Sequence, residues 1–438
     1  MEFEDRLKLL KKARASRSRP ESIDKAWQKI DRGSDVSTKE KLEKLISLTR
    51  TGPGRKEKAG LVESEKREPF QVFENHFSLH SRYGRVSMGR ALQIKGPALA
   101  LLSRDRSFEE LDLSSSLFLD LETTGLSGGV GVVPFLVGLG FYREGKFHLL
   151  QFFLGDPAAE GELIRELRLF FSRMNFRSIV TFNGKAFDLP LLETRFILKG
   201  EILKLGGLPH LDFLFAARSL WGHKHESCRL YHLAREVLNA DREEDIPSAE
   251  IPFRYFQFLR SGDFGLIEPV LYHNQEDILS LLGVVVVGAS FFAEETEQAE
   301  EEPGDAMDLF GAAKILERTG EFDKSALFIR RALEGGLSGE VSLLARKKLA
   351  FYFKKHQEWE KAVRLWQEMT PLRQLFCFRE LAMYYEHRAK DYVRAKQASE
   401  EGLCLADGVS RVYEQDFSHR LDRLRRKTNR QLAEATNK

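Results

Sequence analysis

The chain has 438 residues, enough for two or three domains of about 150 residues each. A hydrophobic share of 42% with 33 Phe excludes a wholly disordered protein, and 68 Lys+Arg against 66 Asp+Glu exclude a globally basic nucleic-acid coat protein. Three scattered cysteines, Cys228, Cys377 and Cys404, exclude a disulfide framework and a four-cysteine zinc site, and fit a reducing cytoplasmic setting.

Residues 1–68 hold 19 Lys/Arg and 13 Asp/Glu and show no long apolar face, so they read as a mobile basic arm, either a solvated tail or a contact for nucleic acid. The charged start has no apolar core of signal-peptide type. Residues 69–293 change character. Ser116–Glu122, Val133–Phe141 and Phe147–Phe153 are predicted strands, the last two joined by a turn at Arg143-Glu144-Gly145-Lys146. A helix over Glu160–Met174 and a strand over Ser178–Phe182 follow, and helical patterns dominate from Leu189. Hairpin strands followed by strand–helix alternation predict an α/β fold with a mixed sheet flanked by helices. Ile278–Ala293 carries no charge over 16 residues, short of the roughly 20 that span a bilayer, so it is expected to be a core helix and no membrane partner is expected.

Residues 294–305 hold seven acids and no Lys or Arg, and mark an acidic linker. Residues 306–410 contain a repeat in which an aromatic precedes a small residue by three: Phe322/Ser325, Trp359/Ala362 and Tyr392/Ala395. The aromatics stand 37 and then 33 residues apart, a period close to that of tetratricopeptide repeats, whose paired helices need small residues at their contacts. Gly320 supplies a turn glycine that the next two units lack. An all-α tetratricopeptide-like domain, open to a protein partner, is therefore expected. Residues 411–438 read as a basic helix or tail, touching phosphate or capping the repeats.

Three segments carry candidate chemistry. In SLFLDLETTGL, period-2 alternation puts Asp120 and Glu122 on one face of a strand and Leu119 and Leu121 on the other. Two adjacent acids among apolar residues call for a cation, and carboxylate oxygens suit magnesium or manganese. In SIVTFNGKAFDLPLL, Asp188 follows Asn183 by five residues. In VLYHNQEDILSLL, His273 and Asp277 are four apart and share a helix face, whereas Tyr272 points away on a regular helix.

Taken in order, DLETTGL, NGKAFDLPLL and HNQEDILSL resemble the three motifs of the DEDD exonucleases, which have a ribonuclease-H-like fold. GLSGGVGVVPFLVGLGFY, HLDFLFAARSLW, SCRLYHLAREVLN and EIPFRYFQFLRSGD add a resemblance to the YprB-like branch over residues 70–293. The resemblance implies a metal-dependent 3′–5′ exonuclease acting on single-stranded RNA or DNA. It implies that Asp120, Glu122, Asp188 and Asp277 hold two divalent ions, Mg²⁺ or Mn²⁺, and that His273 handles the attacking water. Thr123, Asn183 and Lys185 are assigned to substrate contact. One departure from the family pattern stands out. These enzymes place Tyr four residues before the last Asp or His five before it, and here His and Tyr exchange slots, leaving Tyr272 as the alternative to His273.

Other features read as structural. Gly125 and Gly128–Gly131 lack the Lys-Ser or Lys-Thr of a phosphate loop. Asp212 reads as a helix cap, His223, His225 and Cys228 as a polar loop without a fourth zinc ligand, and Arg195, Arg218 and Arg229 as surface pairs. A non-catalytic nucleic-acid-binding scaffold is the second reading. A ribonuclease H-type endonuclease is the third, weakened because that type usually carries its Glu on a helix.

Overall fold

The computed structural model describes residues 68–125, 131–242, 245–293 and 304–436, with side chains to residue 429. The amino-terminal arm, the tip of the glycine-rich turn and nearly all of the acidic linker lie outside the described residues. Residues 68–438 form one compact unit.

Strand β1 (Phe70–Ser78) opens the unit, followed by a small hairpin, β2 (Arg82–Tyr83) and β3 (Val86–Ser87), and helix α1 (Gly96–Ser103). Then come β4 (Ser116–Thr123), β5 (Pro134–Arg143) and β6 (Lys146–Leu154), helix α2 (Glu160–Arg173), β7 (Ser178–Thr181), α3 (Asp188–Leu198), β8 (His210–Asp212) and α4 (Phe213–Leu220). Helices α5 (Leu230–Leu238), α6 (Ile251–Ser261) and α7 (Glu268–Ser290) complete the α/β part. The sheet order is β1-β6-β5-β4-β7-β8, with β1 to β4 joined antiparallel and β4, β7 and β8 parallel. The mixed sheet is as the alternation predicts. The β5–β6 turn falls at the expected place, with Glu144 and Gly145 both at positive φ (51° and 72°), the conformation a two-residue hairpin needs. Two strands of the six-stranded sheet were not foreseen, β1, which covers the β6 edge, and the three-residue β8, nor was the small β2–β3 hairpin.

Alternation along β4 sorts its side chains into two cores. Leu117, Leu119 and Leu121 pack with Leu163, Leu167 and Phe196 of α2 and α3. Phe118 faces the other layer with Ile278 and Leu282 of α7, and Asp120 and Glu122 share its side of the strand. Helix α7 lies close on this face because β5 offers glycines there. A Cβ on Gly138 would sit 2.2 Å from Asn274 Oδ1, and one on Gly140 2.6 Å from Ile278 Cγ2. The helix is longer than its uncharged half: it starts at Glu268, so Asp277 lies inside it rather than at its opening. Among the described residues no helix is long and apolar enough to cross a membrane.

The second part is helical: α8 (Ala306–Arg318), α9 (Phe322–Glu334), α10 (Gly339–Lys355), α11 (Trp359–Met369), α12 (Leu375–Tyr384), α13 (Tyr392–Ala406) and α14 (Arg411–Thr436). The first six pair as three hairpins. Ser325, Ala362 and Ala395 are buried in the contacts between partners, and the Ser325 hydroxyl donates to the Ala313 carbonyl at 2.9 Å. The turn position is left-handed in every hairpin: Gly320 at φ 88°, Gln357 at 62° and Lys390 at 56°. Two of the three turns therefore adopt a glycine geometry without glycine.

Helix α8 docks this region on α4. A Cβ on Gly311 would lie 2.0 Å from the Leu220 carbonyl, and Lys224 pairs with Asp305 and Asp308 at 2.7 and 2.8 Å. Helix α12 ends in a π-turn over Tyr385–Ala389 that buries Glu386 completely. Arg420, Arg423 and Lys427 of α14 converge on that carboxylate. Three cations of the basic terminal segment thus point inward.

Candidate active site

The site forms where the parallel strands β4 and β7 end beneath α7, the place where open α/β sheets usually bind ligands. Asp120 and Glu122 come from β4, Asp188 from the first turn of α3, and His273 and Asp277 from successive turns of α7. The structure brings these five together. His273 Nε2 stands 3.4 Å from Asp277 Oδ2 and 3.9 Å from Glu122 Oε1, confirming that a four-residue spacing on a helix delivers both side chains to one point. Tyr272, beside it, is half-buried.

The charge state follows from the crowding. Burial, and then the charge of Asp277, push Asp120 up to about 7, while His273, Asn274 and Arg242 pull the other way. Burial and the charges of Asp120, Asp277 and Asp188 also raise Glu122 well above the ordinary carboxyl range. Asp188 is raised by burial and by Asp120. His273 moves in the opposite sense to a simply buried histidine. Burial lowers it, but Asp277, Asp245 and Glu122 outweigh that and bring it up to about 10.

Three residues that the sequence reading did not single out complete the arrangement. Arg242, with only 1% of its side chain exposed, pairs with Asp277 at 2.6 Å and Asp245 at 3.1 Å, and donates to the His273 carbonyl at 3.2 Å. Asp245 lies 2.7 Å from His273 Nδ1, which fixes the ring and directs Nε2 toward Glu122 and Asp277. Asn274 donates to Asp120 Oδ2 at 2.8 Å and accepts from Gln151 at 3.0 Å. Arg242 and Asp245 lie in ADREED, a charge run that by itself reads as solvent-facing. Only the fold shows that Arg242 and Asp245 turn inward. Asn274, next to His273, carries no pattern that distinguishes it from a helix-surface amide.

The expected substrate-contact residues sit at the rim. The Thr123 hydroxyl donates to the Gly125 carbonyl at 2.7 Å, just beyond a register shift in β4. Asn183 adopts φ 72°, and its backbone N–H and that of Lys185 both donate to Asp212, at 2.7 and 3.1 Å. Asp212 also caps α4 through the Leu214 N–H, so the expected cap is a clamp on the 183–185 turn as well. Lys185 is exposed and lines a cleft of about 230 Å³ with Arg104, Asp212 and Phe215, a cleft that Asp120, Glu122, Asp188 and Asp277 do not line. His210 accepts or donates at Thr181, 2.8 Å away, and burial, with Lys185 nearby, lowers it to about 4.

Arg195 is not a surface pair: it is buried against Glu160, which also meets Lys199 at 2.9 Å. In the polar loop, His223 contacts Lys314 at 2.6 Å.

Among the described residues no three His, Cys, Asp or Glu side chains stand in a ready-made metal cage. The physical reason at the acid cluster is visible. Arg242 holds Asp277 and Asn274 holds Asp120, so protein groups occupy oxygens that a cation would take. The donor set still fits a hard divalent cation. Four carboxylates converge on one region, and those that are raised are raised in part by each other's charge, a repulsion a cation relieves.

Comparison with known proteins bears on this geometry. Residues 117–287, which span β4 to α7 and all five converging side chains, match the RNase_H_2 family of the RNase_H superfamily, whose members are generally nucleic-acid hydrolases. A Bacillus subtilis (strain 168) protein named "Uncharacterized protein YprB" is 32% identical over 331 residues, 74% of this chain and 78% of its own length. Among solved structures, the family B DNA polymerase from the hyperthermophilic archaeon Pyrobaculum calidifontis matches with TM-score 0.31 and 15% identity, over 47% of this chain and 29% of the polymerase. The chain belongs to the family of YprB and carries an RNase_H superfamily domain at residues 117–287.

Proposed function

We propose that the protein is a metal-dependent 3′–5′ exonuclease that hydrolyses single-stranded RNA or DNA. The observation that carries this reading is the convergence of Asp120, Glu122, Asp188 and Asp277 around His273, in the motif order of the DEDD exonucleases. In this reading the four carboxylates hold two ions, Mg²⁺ or Mn²⁺, which when bound supply positive charge against the phosphoryl oxygens and acidify water. The helical hairpins are tetratricopeptide-like repeats that serve the same substrate or a protein partner.

The chain's own residues do the following. Asp245 accepts from Nδ1–H of His273 and thereby keeps Nε2 for the proton of the attacking water. His273 is a cation while the carboxylates around it are unopposed, because their charges hold its proton. With a cation held by Asp277 and Glu122, the charges that hold the His273 proton would be offset, which favours Nε2 as a base. Arg242 has a second partner in Asp245, which would keep its charge paired if Asp277 turned to a cation. The turn clamped by Asp212 presents Asn183 and Lys185 at the rim for a terminal ribose and a phosphate.

The test is a time course on 5′-labelled single-stranded RNA and DNA with Mg²⁺, Mn²⁺ or EDTA. A metal-dependent ladder shortening from the 3′ end is expected. Asp120→Ala should lose at least roughly 10²-fold, and His273→Ala should lose on the order of 10²–10⁴, the usual share of general-base catalysis.

A second reading is favoured by one observation: Arg242 and Asn274 already satisfy Asp277 and Asp120. A nucleic-acid-binding scaffold without catalysis would need no more than that. Binding of both polymers without cleavage under either metal selects it.

A further inference from the structure

The two parts of the chain differ in charge. Residues 69–293 carry 23 Lys/Arg against 27 Asp/Glu, whereas residues 306–438 carry 26 against 19. A polyanion is therefore drawn to the helical part and mildly repelled by the α/β part that holds the acid cluster.

The helical cations are also ordered. The second helix of each hairpin begins with an aromatic ring, Phe322, Trp359 or Tyr392. In all three a cation from the helix or π-turn that follows the hairpin lies over that ring. Lys355 Nζ is 4.7 Å from the Phe322 centroid, Arg388 Cζ 4.9 Å from Trp359, and Lys427 Nζ 5.5 Å from Tyr392. The acid just before each ring is neutralised within its own turn: Glu321 by Lys324 at 3.4 Å, Glu358 by Lys361, and Asp391 by Arg394 at 3.5 Å. The same four-part unit thus recurs at equivalent positions, so its cations line one edge of the stacked hairpins. Lys355 and Arg388 are exposed and make no ion pair among the described residues, and Phe322 is 46% exposed. By contrast, the one cation–ring contact of the α/β part among the described residues, Arg242 over Tyr231, uses a buried guanidinium.

We propose that this edge is a track for the phosphate backbone of single-stranded nucleic acid, with the rings holding the cations in place and the exposed Phe322 offering apolar surface to a base. Rings interleaved with cations suit a single strand, whose phosphates and bases are both accessible. Restraining each long side chain over a ring removes part of the rotamer entropy that phosphate contact otherwise costs. The proposal rests on the nuclease reading for its choice of polymer. An acidic protein partner is the competing occupant.

The test uses the full chain carrying Asp120→Ala, in EDTA, with 5′-fluorescein 30-mers of oligo-U and oligo-dT. Affinity is measured against salt, with and without Lys355→Gln and Arg388→Gln together. Lys427 is left intact because it also anchors Glu386. Each lost phosphate contact removes about 0.7 from the slope of log K against log salt for a single strand, so the double variant should lose about 1.4. Affinity at low salt should fall roughly ten-fold. Lys355→Arg with Arg388→Lys should keep the slope, and an unchanged circular dichroism melt excludes misfolding. Equal slopes for parent and double variant overturn the proposal, as does a labelled polyglutamate of equal charge that binds as tightly and is lost in the same variant. The nuclease reading fails separately. If the unsubstituted protein cleaves nothing with metal while the double variant still loses binding, the track stands and the activity does not.

Discussion

Arg242 brings a buried positive charge to the acid cluster. It is the guanidinium partner of Asp277 and Asp245 and is almost wholly buried. Removing one member of a buried ion pair typically costs about 3–5 kcal/mol because the remaining charge is stranded. Arg242→Met is expected to lose stability of that order in EDTA and to regain part of it with Mg²⁺ or Mn²⁺, as denaturant melts with and without metal will show. The pH dependence has a definite sign. His273 rises from 6.5 to about 10 in the folded protein, so its contribution is full below about pH 6.5 and is lost as pH climbs through 10. Asp120 rises from 3.8 to about 7, which penalises the folded state increasingly between those values. Both slopes run the same way. In EDTA the melting temperature of the parent should fall relative to that of Asp120→Asn as pH rises from about 4 to 7, by several degrees, and saturating divalent cation should flatten the difference. Asp120, Glu122, His273 and Asp277 were legible in the sequence because a two-residue strand spacing and a four-residue helix spacing carry geometric meaning, whereas Asp188 joined them only through the order of the motifs. Asp245 was not, because a loop has no period. Asp245→Asn should cut cleavage by on the order of 10² while leaving the affinity for oligonucleotide unchanged, which separates orientation of His273 from binding.

At the scale of elements, close approaches do the positioning. Gly138 lets α7 lie on β5 so that Asn274 reaches Asp120. Gly138→Ala is expected to cost about 1–3 kcal/mol through overpacking and to lower activity further than stability alone explains, measured by a thermal melt beside a cleavage rate. In the hairpins the left-handed turns at Gln357 and Lys390 strain an L-residue. Gln357→Gly should raise stability by roughly 0.5 kcal/mol, the relief of that strain less the extra chain entropy of glycine. The central strands were legible because their apolar runs are long and bounded by turn residues. Strand β1 was missed because its half-buried face includes the polar Gln71 and Asn75 while Val72 is exposed, so no apolar alternation shows, and β8 because three residues are too few to show a pattern. The helical hairpins were legible in the aromatic–small spacing. The missing turn glycines, read as departures, are instead positions where the packing of the hairpin overrides local preference.

For the whole molecule, what matters is how the helical region is fixed to the sheet and how it ends. Lys224 bridges Asp305 and Asp308, and Asp308 is nearly buried at the start of α8. Lys224→Met should loosen this joint by about 1–3 kcal/mol and separate one thermal transition into two in calorimetry. The other end is held by the Glu386 carboxylate. Burial pushes it up, but hydrogen bonds from Arg423 and Lys427 overcome this and bring it down to about 2. All three of its cations arrive from a helix that begins 25 residues later, at Arg411. During synthesis the last hairpin therefore emerges from the ribosome with a carboxylate that has no counterion, and it stays unfinished until Lys427 follows. A messenger cut short between codons 410 and 420 would yield a chain whose α/β part is complete yet whose Glu386 lacks all three of these cations, a defect that cellular proteolysis can recognise.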